Sequence, residues 1–427
     1  MGVGENRRFL VTQNGEPFFW LGDTAWLMLP RLSREDIDSY LRIRAAQRFT
    51  VIHLAAVVAG SATGGESNAY GHAPLGDGSL DRPVDDYFAH LDYVIARAAA
   101  HGIYVAILPW LARPGAAGEA GAGGDATTLA GYLARRYREQ PVLWMLPHDQ
   151  GDERARLIAR AMAGALREHG GGGQLIVRLP GQGAVAGAAA PSPPWHDLEL
   201  EASGQGSASL WIGGGDWQQA LAGKRQLPAA PDGQAIALAS LASNAAEVRR
   251  VGYWEVFAGA CGFCFVDQLM WTFHDGGGKA GTPGWREELF HAAAEDMQFL
   301  RQLVESRPYL CRIPDQGILI GDPLSGQEHI RATRGADGPQ GAAGSYAFAY
   351  SAAGKPVTAD LTKITGSMIM ASWFDPRSGV STWLGQFAVR GKRTFEPPSS
   401  EDWVLVLEDS ARHYQQLGFG SDRRSTS

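Results

Sequence analysis

The strongest chemical signal in the chain is the stretch VLWMLPHDQGDE at residues 142–153, an apolar run that ends abruptly at Pro147, His148 and Asp149. Buried strands of α/β enzymes present catalytic acids in this way, and inactive barrels end strands in the same way. Other apolar runs end in comparable side chains: Asp23 and Trp26, His53, Trp110, Gln205, Asp232 and Gln234, and Asp267 and Gln268, with Asn68, Tyr70 and His72 in the loop after the second run. Aromatic faces, amides and carboxylates together suit a ligand with flat apolar faces and many hydroxyls, as sugars have. The set holds no His/Cys triplet at metal-ligand spacing, and the sequence has no phosphate-cradling G-x-x-x-x-G-K-[ST] loop, so neither metal nor cofactor is expected.

Cleaving a glycosidic bond needs two carboxyl groups, one to protonate the leaving oxygen and one to attack the anomeric carbon or activate water. Asp149 suits the first role, and His148 either tunes it or bonds a backbone carbonyl. Asp23, Asp232 and Asp267 are open candidates for the second. Each also has an ordinary structural role available: Asp23 as the cap of the following turn, Asp232 in an Asp-Gly turn, Asp267 as acceptor for backbone amides beyond the last strand. Asn68 and Tyr70 face the same choice between holding a loop and touching a sugar. Trp26 and Trp110 are read as ligand contacts because they stand at strand ends; the remaining tryptophans are read as core.

These positions converge only if the runs form one parallel barrel. Residues 17–310 alternate short apolar runs with amphipathic stretches, the pattern of a parallel sheet wrapped by helices. PFFWLGDTAW, TVIHLAAVV, IYVAILPW, VLWMLPHD, QLIVRLPG and LELEASGQG read as the first six strands and GFCFVDQ as the eighth, while the seventh is either LPAAPDGQ or AIALAS. Ser33 caps the first helix, with Glu35 and Asp36 in its first turn, and Gly102 ends the second in a left-handed cap. WREELFHAAAEDMQFLRQLVESR reads as one last helix. Eight strand-helix units predict an α/β (β/α)8 TIM barrel over residues 1–308, whose chemistry sits at the C-terminal ends of the strands. Residues 309–427 change to short alternating runs between Gly, Pro and Asp turns, which predicts a small all-β antiparallel sandwich domain ending in a disordered Ser/Arg tail.

A formal charge of −7 over 427 residues leaves no basic footprint, so no nucleic-acid partner is expected and a neutral small substrate or polymer is easier to accommodate, with which the carbohydrate (oligo- or polysaccharide) suggested by the strand-end residues agrees. No run approaches about 18 apolar residues and the N-terminus lacks an apolar signal core, which predicts no membrane insertion and a cytoplasmic location unless a leader has been removed. The three cysteines are too few for a disulfide framework, and the C-x-x-C of Cys261 and Cys264 lies inside the apolar run CGFCFV, where buried thiols are expected.

With these residues in view, the chain resembles the apiosidase-like glycoside hydrolases, a catalytic barrel followed by a small domain that carries a collagen-binding label. The carriers are RFLVTQNGEPFFWLGDTAW (8–26), LSREDIDSYLRIRAAQRFTVI (32–52), NAYGHAPL (68–75), YREQPVLWML (137–146), EVRRVGYWEVFAGACG (247–262), ESRPYL (305–310), ASWFDPRSG (371–379) and DWVLVLED (402–409). The resemblance implies retaining or inverting glycosidase chemistry, with an acid after the fourth strand and a second carboxylate after the seventh. Where the family usually has Gly-Gly-Asp this chain has Pro147-His148-Asp149, which keeps the acid. Where it usually has Asn/Asp-Gly-Glu this chain has Asp232-Gly233-Gln234, and where it tends to have Gly-His-His after the eighth strand this chain has Val266-Asp267-Gln268. The implied protein is glycoside hydrolase-like and acts on a plant or bacterial glycan. Asp149 is its general acid, Gln234 stands in the place of the usual Glu, and Asp267 is the carboxylate that would have to substitute. The alternative is a non-catalytic carbohydrate-binding or scaffold pseudoenzyme that uses the same cleft, with a sandwich domain that only braces the barrel.

Overall fold

The computed structural model describes residues 1–59, 65–79, 81–111, 124–147, 153–179, 195–202, 207–212, 244–276, 283–415 and 417. They form two compact units. The first takes in the described residues up to Ile212 and those from Cys261 to Ala294; the second takes in Asn244 to Ala260 and everything from Glu295 on.

In the first unit, strands β1 (Trp20–Thr24), β2 (Val51–Val58), β3 (Tyr104–Leu111), β4 (Val142–Leu146), β5 (Ile176–Arg178), β6 (Leu198–Ala202), β7 (Ser207–Ile212) and β8 (Gly262–Phe265) close into a barrel in that order. β8 runs parallel to β1, and the pairs from β1 to β6 are parallel as well. β7 is the exception, antiparallel to both neighbours. Both sequence candidates for the seventh strand lie outside the described residues. Residues 207–212, to which no element was assigned, fill the gap between β6 and β8. The segment reads SASLWI, three small residues followed by three large apolar ones, which neither alternates nor makes a long apolar run and so does not stand out beside the run before it. The parallel strands are buried on both faces, which is why they read as continuous apolar runs.

The helices between the first strands start and stop where local chemistry dictates. Ser33 accepts the Asp36 amide at 3.2 Å and so caps α1 (Arg34–Ala46), and Gly102, at φ +72°, turns the chain after α2 (Asp85–Ala100). α3 (Gly124–Arg136) and α4 (Glu153–His169) follow β3 and β4, and α5 (Ala245–Phe257) opens the second unit. A short helix, α6 (Gln268–Thr272), follows β8. The expected single last helix is instead three pieces, α7 (Trp285–Glu288), α8 (Ala292–Glu295) and α9 (Met297–Glu305). The first break has a visible cause: the Leu289 carbonyl accepts from Arg44 Nη1 at 3.1 Å and Gln47 Nε2 at 2.7 Å. Among the described residues no helix is long and apolar enough to cross a membrane, and Cys261 and Cys264 are both buried.

Arg44 belongs to a fully buried knot. Its Nε lies 2.5 Å from Asp23 Oδ2, and the same oxygen accepts the Tyr40 hydroxyl at 2.6 Å. The knot joins β1 to α1, and through Leu289 it joins both to the segment after β8.

The second unit is built on a six-stranded antiparallel sheet ordered 312–314, 330–335, 346–351, 403–409, 368–374, 381–388. One face packs Trp373, Leu405 and Leu407 against a ribbon of Val357–Asp360 and Lys392–Phe395. The other face meets α5, where Tyr253 stacks on Tyr350 at 4.8 Å and Arg249 grips both oxygens of Asp402 at 2.9 Å. The sandwich expected from the alternating runs is therefore present, with a helix covering its second face.

Because a buried carboxylate stripped of its partner loses more than the pair contributes, Arg44→Met is expected to lower the unfolding free energy by about 3–5 kcal/mol. Urea denaturation measures it; a loss below about 1 kcal/mol, the size of a surface pair, would show that the knot is not a structural hub.

Candidate functional site

Side-chain alternation along β1 decides what reaches the barrel interior. Gly22 faces inward: a Cβ placed there would lie 2.7 Å from Trp20 Nε1, 2.8 Å from His53 Nε2 and 3.0 Å from Cys264 Sγ, so only glycine leaves these three room. The His53 ring, 2% exposed, sits 5.7 Å from Trp20 and 5.9 Å from Trp26. Burial lowers its pKa to about 4 against the opposing pull of Asp23, so His53 is a neutral hydrogen-bonding group at physiological pH. Trp26 and His53 are two of the sequence candidates that the fold brings together. Trp110, partly buried at the end of β3, packs on the helix-layer core, and its indole Nε1 has no hydrogen-bond partner among the described residues.

Asp23, one residue further along β1, points the other way. One oxygen is held by Tyr40 and Arg44, the other by the Thr24 amide at 2.9 Å, and the residue has no exposed surface. Asp267 caps α6 through Oδ1, which accepts the Leu269 amide at 2.8 Å and the Met270 amide at 3.0 Å. Its carboxyl lies close to that of Glu288 in α7, a residue 4% exposed whose Oε1 is 3.9 Å from His291 Nδ1. Burial above all raises the pKa of both groups, opposed at Asp267 by the two helix amides and reinforced at Glu288 by the neighbouring Asp267. Two acids in contact share a proton more readily than they hold two charges. Gln268 opens the helix that Asp267 caps.

Asn68 is turned into its own loop. Its Oδ1 accepts the amides of Tyr70 at 3.0 Å and His72 at 3.1 Å, and Nδ2 reaches the Tyr87 carbonyl at 3.4 Å. Tyr70 and His72 are left facing out, in a pocket of about 190 Å³ that they line with Arg34, Asn68 and Asp86. His148, Asp149, Gln205, Asp232 and Gln234 lie outside the described residues. Among the described residues no group of three or more His, Cys, Asp or Glu is placed to hold a metal ion.

Residues 4–311 match the family profile described as the apiosidase-like catalytic domain, and residues 313–408 match that of a putative collagen-binding domain of a collagenase. The chain belongs to the apiosidase-like family. A glycoside hydrolase family 5 structure from Bacteroides vulgatus shares 26% identity with this apiosidase-like chain at a TM-score of 0.79, covering 97% of this chain and 94% of that one. A structure named only as a glycoside hydrolase shares 25% identity at 0.79, covering 97% and 98%. A further Bacteroides vulgatus structure, at 12% identity and a TM-score of 0.62 over 95% and 83% of the chains, shares the fold. No curated protein matches the chain.

Sequence reasoning missed Glu288, Arg44 and Tyr40. Nothing in WREELF marks a buried acid. For Arg44 a signal existed, since it falls in the i, i+3, i+4, i+7 stripe of Ile37, Tyr40, Leu41 and Arg44 that α1 buries.

A raised carboxyl pKa contributes stability that is fully present below the unfolded value of about 4 and is lost as pH rises through the folded value. Glu288→Gln, which stays neutral, should therefore gain in melting temperature relative to wild type as pH rises from 4 to 8. A constant or shrinking difference would mean the pair does not share a proton.

Proposed function

We propose that this protein binds a plant or bacterial glycan at the C-terminal end of its barrel, with Asp149 in the general-acid position and with hydrolysis impaired or lost because Gln234 stands where the family carries Glu. Gln keeps the shape of Glu, but it can neither attack an anomeric carbon nor take a proton from water. Losing a catalytic carboxylate costs on the order of 10³-fold in rate. The observation that carries the reading is the commitment of the two other candidate carboxylates among the described residues: Asp23 faces the helix layer and is bound to Arg44, while Asp267 caps α6 beside the Glu288 carboxyl. Neither is free to replace the missing group. Binding does not need that group, and the Trp26–His53 cluster supplies the aromatic and amphipathic chemistry that sugars use.

A second reading keeps the protein an enzyme, and the retained Asp149 favours it. Asp267 would then leave Glu288 to act as the second carboxylate, and its separation from Asp149 would set the stereochemistry, about 5–5.5 Å for retention and about 6.5–9.5 Å for inversion.

A panel of aryl glycosides and plant glycans separates the two. Wild type is expected at background and Gln234→Glu roughly 10³-fold above it, with Asp149→Asn abolishing the gain. Hydrolysis by wild type that Asp267→Asn stops would overturn the binding role and make the protein an enzyme.

A further inference from the structure

The pocket around Tyr70 is not part of the cluster around His53. Its loop follows the C-terminal end of β2, and Arg34 and Asp86 stand in the first turns of α1 and α2, so the pocket opens on the same end of the barrel as the strand ends. Tyr70 is 48% exposed yet fixed at both extremities: its amide donates to Asn68 Oδ1 at 3.0 Å, and its hydroxyl accepts the Arg34 amide at 2.9 Å. The His90 ring meets it edge-on at 5.1 Å. A large aromatic ring held rigid while half of it stays in water has lost its side-chain freedom before any ligand arrives, which is the condition for a binding platform. The Arg34 guanidinium is held between the rings of Tyr70, 5.7 Å away, and Tyr93, 4.9 Å away. Arg34 and Asp86 make no ion pair among the described residues.

The charges narrow the ligand. An anion would meet Asp86 and a cation would meet Arg34, so a neutral molecule suits the pocket. Arginine only donates, an ionised carboxylate only accepts, and a hydroxyl does both, so adjacent hydroxyls of one molecule can satisfy both side chains. The tyrosine ring requires an apolar face on that same molecule. At about 190 Å³ the pocket is smaller than the roughly 300–1,000 Å³ that whole ligands occupy, which fits one ring and not a chain.

Resting on the carbohydrate reading above, we propose that Arg34, Tyr70, His72 and Asp86 form an outer subsite that holds a single neutral sugar residue of an oligosaccharide. Tyr70 supplies the stacking face, Arg34 and Asp86 bond neighbouring hydroxyls, and Asn68 is a positioning residue that fixes the turn.

The test uses the full chain against an array of plant cell-wall and bacterial-surface oligosaccharides, with dissociation constants then measured for the strongest feature. Tyr70→Ala and Asp86→Ala are each expected to weaken that binding about tenfold or more, and Tyr70→Phe, which keeps the ring, only about threefold or less. Asp86 is exposed and its side chain makes no ion pair or hydrogen bond among the described residues, so its variant reports on the pocket even if Tyr70→Ala disturbs the loop. If wild type binds oligosaccharides and Asp86→Ala and Tyr70→Ala stay within about twofold of it, the subsite is overturned and the carbohydrate reading stands. If wild type binds nothing on the array and the hydrolysis panel is also silent, both fall.

Discussion

One buried guanidinium holds the barrel closed. Arg44 satisfies Asp23 on β1, Gln47 on its own helix and the Leu289 carbonyl beyond β8, and it does so with no surface exposed to water. A charge in that position is tolerated because the Asp23 carboxylate neutralises it and Gln47 and the Leu289 carbonyl accept from it. The seam between β1 and β8 carries further stitches, the Thr24 hydroxyl on the Phe265 carbonyl and the Leu27 amide on the Trp271 carbonyl. The start and the end of the barrel are thus fixed to each other, which holds steady the side chains on the two strands that meet there.

That constraint divides the polar residues of the seam by function. Inward, Gly22 lets His53, Trp20 and Cys264 approach one another, and the result is a neutral, aromatic interior wall. Outward, Asp23 is consumed by the knot. Beyond the strand ends Asp267 is engaged as the cap of α6, with the Glu288 carboxyl beside it. Among the described residues of the seam the carboxyls are thus engaged, whereas acid-base work needs carboxyls free to gain and lose protons at the reacting atoms.

Most of the architecture was legible in the sequence because parallel strands advertise themselves as unbroken apolar runs. The Ser33 cap and the Gly102 stop were legible for equally local reasons. The same continuity hid the facing of each residue: in WLGDT every position is buried, so nothing in the pattern says that Gly22 looks into the barrel and Asp23 out of it. The C-terminal sandwich was easier to read because its strands alternate. The approach of Asp267 to Glu288 was not legible, since the two lie in different short helical segments and nothing in WREELF marks a buried acid. The sequence offers Asn68 both a loop and a ligand role, and its three hydrogen bonds place it in the loop, whereas Tyr70 beside it faces outward.

The Arg44 knot also has a cost in time. Arg44 and the Leu289 carbonyl are 245 residues apart, and Thr24 and Phe265 are 241 apart. At about 5–20 residues per second, a ribosome needs roughly 10–50 s to bring the second partner out after the first. Through that interval α1 carries a cation on its apolar stripe with the last of its partners unmade, and β1 has an open edge where β8 will lie. The barrel therefore cannot mature from its N-terminus as synthesis proceeds, and a nascent chain of this protein spends that time as a client for whatever shields unpaired strand edges.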